Sequence, residues 1–360
     1  MEMETPAVVI DYKVMKSNFM EIMNLCKKNN VKLRPHYKAH KTPYISKLQQ
    51  RWGCTGMTVS KVSEGENLVE EGFQDVLIAY PLVKARQLER VMEMSLKAKV
   101  TIIVDSIEGV ELAEQRCRLK KRPLKVLVKV NTGLNRCGVD TTEEAYKLAE
   151  SLTQKKHLEF IGLITHAGHA YGAESNNDVR EIANEEVEKL LEAKGYIENK
   201  GISVEEISVG ATPTVKYNVH KNGLTEARPG NFMFYDNTQI SLGVVSENSC
   251  ALTVKSTVVS KVGDRVVIDA GSKTLGLDKG AHGNQFIIGY GRVLDHPSLE
   301  IVSLSEEHGV LKGKNLPQIG EEISIIPNHS CVVMNLNKNI FLKKENQLVK
   351  LDNSGKFLNY

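Results

Sequence analysis

Aromatic residues are scarce in this chain of 360 residues: they make up 6% of it, and tryptophan occurs once. An excess of either charge is missing too, because 47 lysines and arginines face 44 aspartates and glutamates, for a net charge of +3. Such a balance provides no basic field of the kind that holds a nucleic-acid backbone, so no nucleic-acid partner is expected. No apolar run approaches the roughly 18 residues that a membrane helix needs, so no membrane partner is expected either. The six cysteines (Cys26, Cys54, Cys117, Cys137, Cys250 and Cys331) are scattered, with no CxxC pair and no dense framework of the secreted kind, and read as reduced thiols. Met-Glu-Met-Glu-Thr-Pro carries acids where a signal peptide has basic residues, which together with the thiols gives the expectation of a cytoplasmic protein. What is present, 41% hydrophobic and 25% charged residues, is a globular composition long enough for one large domain and a smaller one.

Apolar, β-branched runs of strand length occur at Val31–His36, Gly56–Ser60, Asp75–Tyr80, Val100–Asp105, Leu124–Asn131, Phe160–Ala167, Glu206–Gly210 and Glu226–Phe232. Between most of them apolar residues recur at helical spacing, as in Leu82…Leu88…Val91-Met92…Leu96 and in Ala145…Leu148…Leu152 behind the capping signal Asp140-Thr-Thr-Glu-Glu. Eight strand–helix alternations predict an α/β architecture led by an N-terminal parallel (β/α)8 barrel of the TIM type, over residues 10–236. From about Asp236 the texture shifts to short β-rich runs, Ala251–Val259, Arg265–Asp269, Gln285–Tyr290 and Glu322–Ile326, divided by Gly, Asp and Asn. These predict a C-terminal antiparallel β domain over 237–360, which residues 1–9 are expected to join.

A barrel of this type gathers chemistry at the C-terminal ends of its strands. After the first comes Arg34-Pro-His-Tyr-Lys-Ala-His-Lys41, a basic loop in which Lys38 is a candidate amine nucleophile; a solvated loop or an anion-binding patch is the alternative. After the fifth stands Arg136, beside a glycine turn. After the sixth come His166, His169 and Tyr171, the histidines reading as metal ligands or, with no carboxylate or cysteine beside them, rather as groups packed on a cofactor or hydrogen-bonded within the strand end. The seventh and eighth lead into Gly210, Thr212, Arg228, Gly230 and Asn231, where backbone amides and a hydroxyl suit a phosphate. With an amine-bearing lysine on the same face, the set points to a phosphorylated aldehyde cofactor. In Pro327-Asn-His-Ser-Cys331, residues two apart in an extended segment face one way, so His329 and Cys331 form a candidate half-site for a divalent metal, zinc suiting the pair best; a buried cysteine near a loop histidine is the alternative. Ser305-Glu-Glu-His-Gly309 reads as an outer layer to that site or as a polar turn.

These segments, with Asn131-Thr-Gly-Leu-Asn-Arg-Cys-Gly138, Thr165-His-Ala-Gly-His-Ala-Tyr171 and Ser208-Val-Gly-Ala-Thr-Pro213, resemble the fold-type III pyridoxal-phosphate enzymes, in the branch of D-threonine aldolases and eukaryotic-type D-serine dehydratases. The resemblance spans nearly the whole chain. It implies that Lys38 carries pyridoxal 5'-phosphate as a Schiff base, that Arg136 meets the cofactor's phenolic oxygen, that Thr212, Gly230 and Asn231 hold its phosphate, and that Arg228 lies near the pyridine nitrogen. It also implies a homodimer and a lyase acting on D-3-hydroxy amino acids. The His/Cys pair favours elimination to a 2-keto acid and ammonia, as in D-serine dehydratases; retro-aldol cleavage to glycine and an aldehyde is the alternative, with a racemase or a non-catalytic cofactor carrier beyond it. Asn131 replaces the family's usual aspartate, and Val332-Val333 its usual Pro-Thr.

Overall fold

The computed structural model describes residues 3–280, 286–345 and 347–351. All eight barrel runs are strands, all but the fourth shorter than the apolar run: Lys32–Leu33, Met57–Val59, Asp75–Ile78, Lys99–Val104, Leu124–Lys129, Leu158–Ile164, Glu206–Val209 and Glu226–Ala227. They pair in parallel in chain order, and the eighth returns to the first through Lys32↔Glu226 and Leu33↔Ala227. Closure between the first and second strands rests on a single bridge, His36↔Thr58, with Thr58 N–H donating to Pro35 O at 2.9 Å and Thr55 N–H to Leu33 O at 3.0 Å. The ring therefore closes at the loop that carries Lys38.

Two of the barrel helices begin at full capping boxes, where side chains satisfy their free N–H groups. Thr141 and Glu144 form a capping box ahead of Thr142–Thr153, and Ser175 and Asp178 form another ahead of Asn176–Asn199. The barrel interior is divided by polarity. Leu77, Ile103, Leu127, Ile161 and Ile164 pack as one apolar cluster on the third to sixth strands. Buried Arg34, Ser208, Glu226 and Arg228 occupy the side formed by the first, seventh and eighth.

Among the described residues the second sheet has nine strands. Leu252–Val262 pairs with both Glu322–Ile326 and Arg265–Ile268, so six of the strands form a closed ring. Ala7–Asp11 lies on its flank, antiparallel to Leu252–Val262 and parallel to Ile340–Lys344, the one parallel pair of this sheet among the described residues. The run Gln285–Tyr290 is not a strand over 286–290, and Gln285 lies outside the described residues. Gly289 at φ +71° and Gly291 at φ +141° break the extended path there, and Phe286 and Ile288 are exposed. Leu299–Leu304, Gly309–Gly313, Ile340–Lys344 and Gln347–Leu351 are strands beyond those expected. Among the described residues no helix is long and apolar enough to cross a membrane.

Candidate active site

The Arg34–Lys41 segment is not a solvated loop. Arg34, His36, Tyr37 and His40 are buried, and a 3-10 turn over Tyr37–Ala39 presents Lys38. The two lysines part here. Lys41, at φ +51°, turns away to donate to Asn335 Oδ1 at 2.8 Å and stands 3.8 Å from Glu64, whereas Lys38 lines a cavity of about 190 Å3. His36, His166, Tyr171, Ala211, Thr212, Arg228, Gly230, Asn231, His329 and Cys331 complete its wall. A groove of about 420 Å3 along Phe286–Glu300 is larger, yet its only ionisable side chains are Arg292 and Glu300. The chemistry-bearing space is the smaller one.

Burial is the main cause that lowers the pKa of Lys38; the Cys331 side chain opposes it, and the charges of Arg136 and Arg228 add to it. Desolvation thus does more to free the amine than the neighbouring cations do. Burial likewise holds His36 and His166 well below the usual histidine range, with Lys38 the next cause for each, and the His166 imidazole bonds the carbonyl of Gly210. Burial lowers Arg228 to about 10 against the pull of Glu226 and Glu186. The Tyr171 phenol is pushed up by burial and lies against the hydroxyl and backbone of Thr212.

Arg136 is exposed and stands outside the cavity wall, though its charge reaches Lys38, His36 and His166. Its turn is ordered by Asn131, whose Oδ1 accepts from Gly133 and Asn135 N–H at 3.1 and 3.0 Å and whose Nδ2 donates to Asp140 at 2.7 Å. With Asp140 opposite, an amide at 131 avoids the clash of charge that a carboxylate would bring. His169 packs against Gly133 rather than joining His166 in the cavity wall.

The backbone N–H groups of Ala211, Gly230 and Asn231 have no acceptor among the described residues, and half-buried Lys38 and buried Arg228 stand beside them. This arrangement fits a phosphorylated aldehyde: free amides for the phosphate, a neutral-leaning amine for the carbonyl. The side chain of Asn231 is not part of that fit. Its Nδ2 donates to Asp236 Oδ2 at 2.5 Å and its Oδ1 accepts from Ser330 Oγ at 2.8 Å, while Asp236 Oδ2 also accepts from Ser330 N–H at 3.0 Å. Asn231 therefore offers its backbone.

His329 and Cys331 do not lie in one extended segment. His329 caps the helix Ser330–Leu336, and Cys331 sits in its first turn. Val332 N–H donates to His329 O at 3.1 Å, a bond that proline could not make. The two side chains nevertheless meet. Burial would lower the His329 imidazole, but the hydrogen bond and charge of Cys331, with Asp236 and Asp278, raise it to about 9. An imidazole touching a thiol is a donor pair suited to zinc, although among the described residues no group of three or more His, Cys, Asp or Glu is placed to hold an ion. Ser305–Gly309 is the polar turn of a hairpin, with Glu306 and Glu307 paired to Lys273 at 2.7 and 3.0 Å.

Residues 10–238 match the model of the alanine racemase N-terminal domain, and residues 251–342 match a putative serine dehydratase domain. The chain belongs to the alanine racemase N-terminal domain family. Within and around that family it is similar to D-threo-3-hydroxyaspartate dehydratase of Delftia sp. (strain HT23), 27% identical over 91% of each chain. It is also similar to D-serine dehydratase of Dictyostelium discoideum, 28% identical over 92% of this chain and 91% of the relative. The crystal structure of D-threonine aldolase from Filomicrobium marinum superposes with a TM-score of 0.86 at 27% identity, over 94% of this chain and 91% of that one. The alanine racemase fold thus accounts for the barrel and for the sheet that follows it.

Three buried groups were invisible to motif reading. Glu186, on the helix Asn176–Asn199, accepts from Ala167 and Gly210 N–H at 3.2 and 3.4 Å, Thr214 Oγ1 at 3.1 Å and Asn218 Nδ2 at 2.9 Å, tying the loops after the sixth and seventh strands together. Asp236 ties the eighth loop to Ser330. Lys129, at the end of the fifth strand, is lowered to about 7, chiefly by burial. Only the inward-facing period of their elements could have marked them.

Proposed function

We propose that this protein is a pyridoxal-phosphate- and metal-dependent lyase acting on D-3-hydroxy amino acids, and that it carries out β-elimination to a 2-keto acid and ammonia. The carrying observation is that Lys38 and the His329–Cys331 pair line one cavity. The related dehydratases of Delftia and Dictyostelium support the reaction class. When bound, pyridoxal phosphate supplies an electron sink for charge developing at the substrate's α-carbon. Zinc, when bound, supplies a Lewis acid for the 3-hydroxyl.

The chain's own residues then divide the work. Lys38, whose Nζ burial inclines toward the free amine, would hold the aldehyde and would be placed to move a proton at the substrate's α-carbon. The free amides of Ala211, Gly230 and Asn231 and the hydroxyl of Thr212 receive the phosphate. His166, held by Gly210 O, and Tyr171, against Thr212, wall the ring in. Gly210 contributes through that carbonyl. Arg228 would supply a buried cation, Arg136 a cation at the rim for the phenolic oxygen, and His329 and Cys331 the metal donors. In this reading residues 10–236 carry the cofactor, 237–360 with 1–9 carry the metal pair, and the chain works as a homodimer.

Purified protein supplied with pyridoxal phosphate and zinc is expected to release keto acid and ammonia from D-serine or D-3-hydroxyaspartate. Chelation is expected to lower kcat/KM by about two orders of magnitude. Glycine as the product would replace elimination with retro-aldol cleavage, and activity undiminished by chelation would remove the metal from the reading.

A further inference from the structure

A continuous line of buried polar contacts crosses the barrel from its N-terminal mouth to the cavity. At the mouth, Arg34 Nη1 donates to Asp75 Oδ1 at 2.6 Å and Arg34 Nε to Glu226 Oε2 at 2.6 Å. The other oxygen of Glu226 accepts from Ser208 Oγ at 2.7 Å, and Ser208 Oγ in turn accepts from Arg228 Nε at 2.7 Å. Arg228 Nη2 bonds the carbonyl of Thr165, and its Nη1 has no acceptor among the described residues. Arg34, Ser208, Glu226 and Arg228 are each less than 9% exposed. Space is kept for the column: a Cβ at Gly56 would fall on the Arg34 guanidinium.

Two carboxylates and two guanidiniums balance in charge, yet a balanced pair of ion pairs does not require the hydroxyl between them. Ser208 makes the link specific, because a single hydroxyl accepts from one side and donates to the other, fixing the rotation of Arg228 about its Nε. Thr165 O fixes the second edge. One edge is left over, on the cavity side. We propose that Ser208 and Glu226 are positioning residues that hold the free edge of the Arg228 guanidinium against the ligand in the Lys38 cavity, so that the far mouth of the barrel contributes to the site. This rests on the reading of that cavity as a pyridoxal-phosphate site.

The test is the pH dependence of the rate at which cofactor-free protein captures pyridoxal phosphate on Lys38, read by borohydride fixation, alongside kcat and KM. The wild-type rate follows the free amine, whose proton affinity is reduced by Arg228. In S208A the guanidinium loses the contact that fixes its Nε and keeps only the carbonyls of Thr165 and Ser208, and the midpoint of the rate profile is expected to move up by about half a pH unit or more. A fall in kcat of about tenfold with KM within about twofold is expected to accompany it. S208T, which keeps the hydroxyl, is expected to behave as wild type. S208C, whose thiol donates weakly, is expected to move the same way by less, and it serves if S208A does not fold. A wild-type profile in both S208A and S208C, with only thermal stability reduced, overturns the positioning role. Failure of the wild-type protein to capture the cofactor at all overturns the cavity's assignment instead, and the two failures are distinct.

Discussion

At the scale of single residues, burial governs the chemistry more than pairing does. Lys129 shows this most simply. It forms no ion pair among the described residues and is lowered to about 7 by burial, with Arg228 the next cause. Its folded pKa lies below its unfolded one, so between about pH 7 and 10 the unfolded chain binds more protons, and stability rises with pH across that window. K129M is expected to remove that slope in denaturant titrations at pH 7, 8 and 9, and to raise the melting temperature at pH 7 by about 2–4 °C. His36, His40 and His166 are lowered by burial too, so the stability they contribute is lost as pH falls below about 6.5. K38A is expected to abolish borohydride-fixed cofactor and to lower kcat/KM by about three orders of magnitude or more. The residue reading was legible where identity carries chemistry, as at Lys38, and illegible where orientation decides. Nothing in the letters separates an Asn231 that offers its side chain from one whose amide is spent on Asp236 and Ser330.

At the scale of elements, every barrel run became a strand because β-branched residues at buried positions declare themselves, while the ends of the runs overshot into loops. The second sheet was half read. Leu299–Leu304 and Gly309–Gly313 set Glu, Ser and Lys between their apolar residues and are short, since one face meets solvent, and the pattern fades accordingly. The pairing of the fifth and sixth barrel strands carries a feature that no pattern shows: register slips between Val126↔Phe160 and Leu127↔Gly162. Gly162 holds φ +149°, and a Cβ there would overlap the Glu206 carbonyl. G162A is expected to destabilise the fold by more than about 3 kcal/mol, seen as loss of soluble protein or a sharply lowered denaturation midpoint, because the contact is with backbone of the neighbouring strand and cannot move aside.

At the scale of the whole molecule, the barrel and the second sheet are joined through Asp236. It accepts from Asn231, Gln239 and Ser330, and the adjoining Asn237 and Thr238 bond Pro327 and Asn328 through backbone N–H groups at 3.0 and 3.3 Å. D236N turns an acceptor into a donor facing N–H groups, and is expected to cost about 2–4 kcal/mol and to weaken cofactor and zinc retention together. Equilibrium dialysis of each ligand checks this; loss of one alone would mean that the junction does not serve both halves of the cavity. The first strand of the fold has a consequence in time. Val8 pairs with Ile340, 332 positions later. At about 5–20 residues per second of synthesis, its partner emerges roughly 17–66 seconds after it. Both edges of this apolar strand stay open until Leu252–Val262 emerges, and one stays open until Ile340–Lys344 follows, so its pairing is completed only by a strand translated much later.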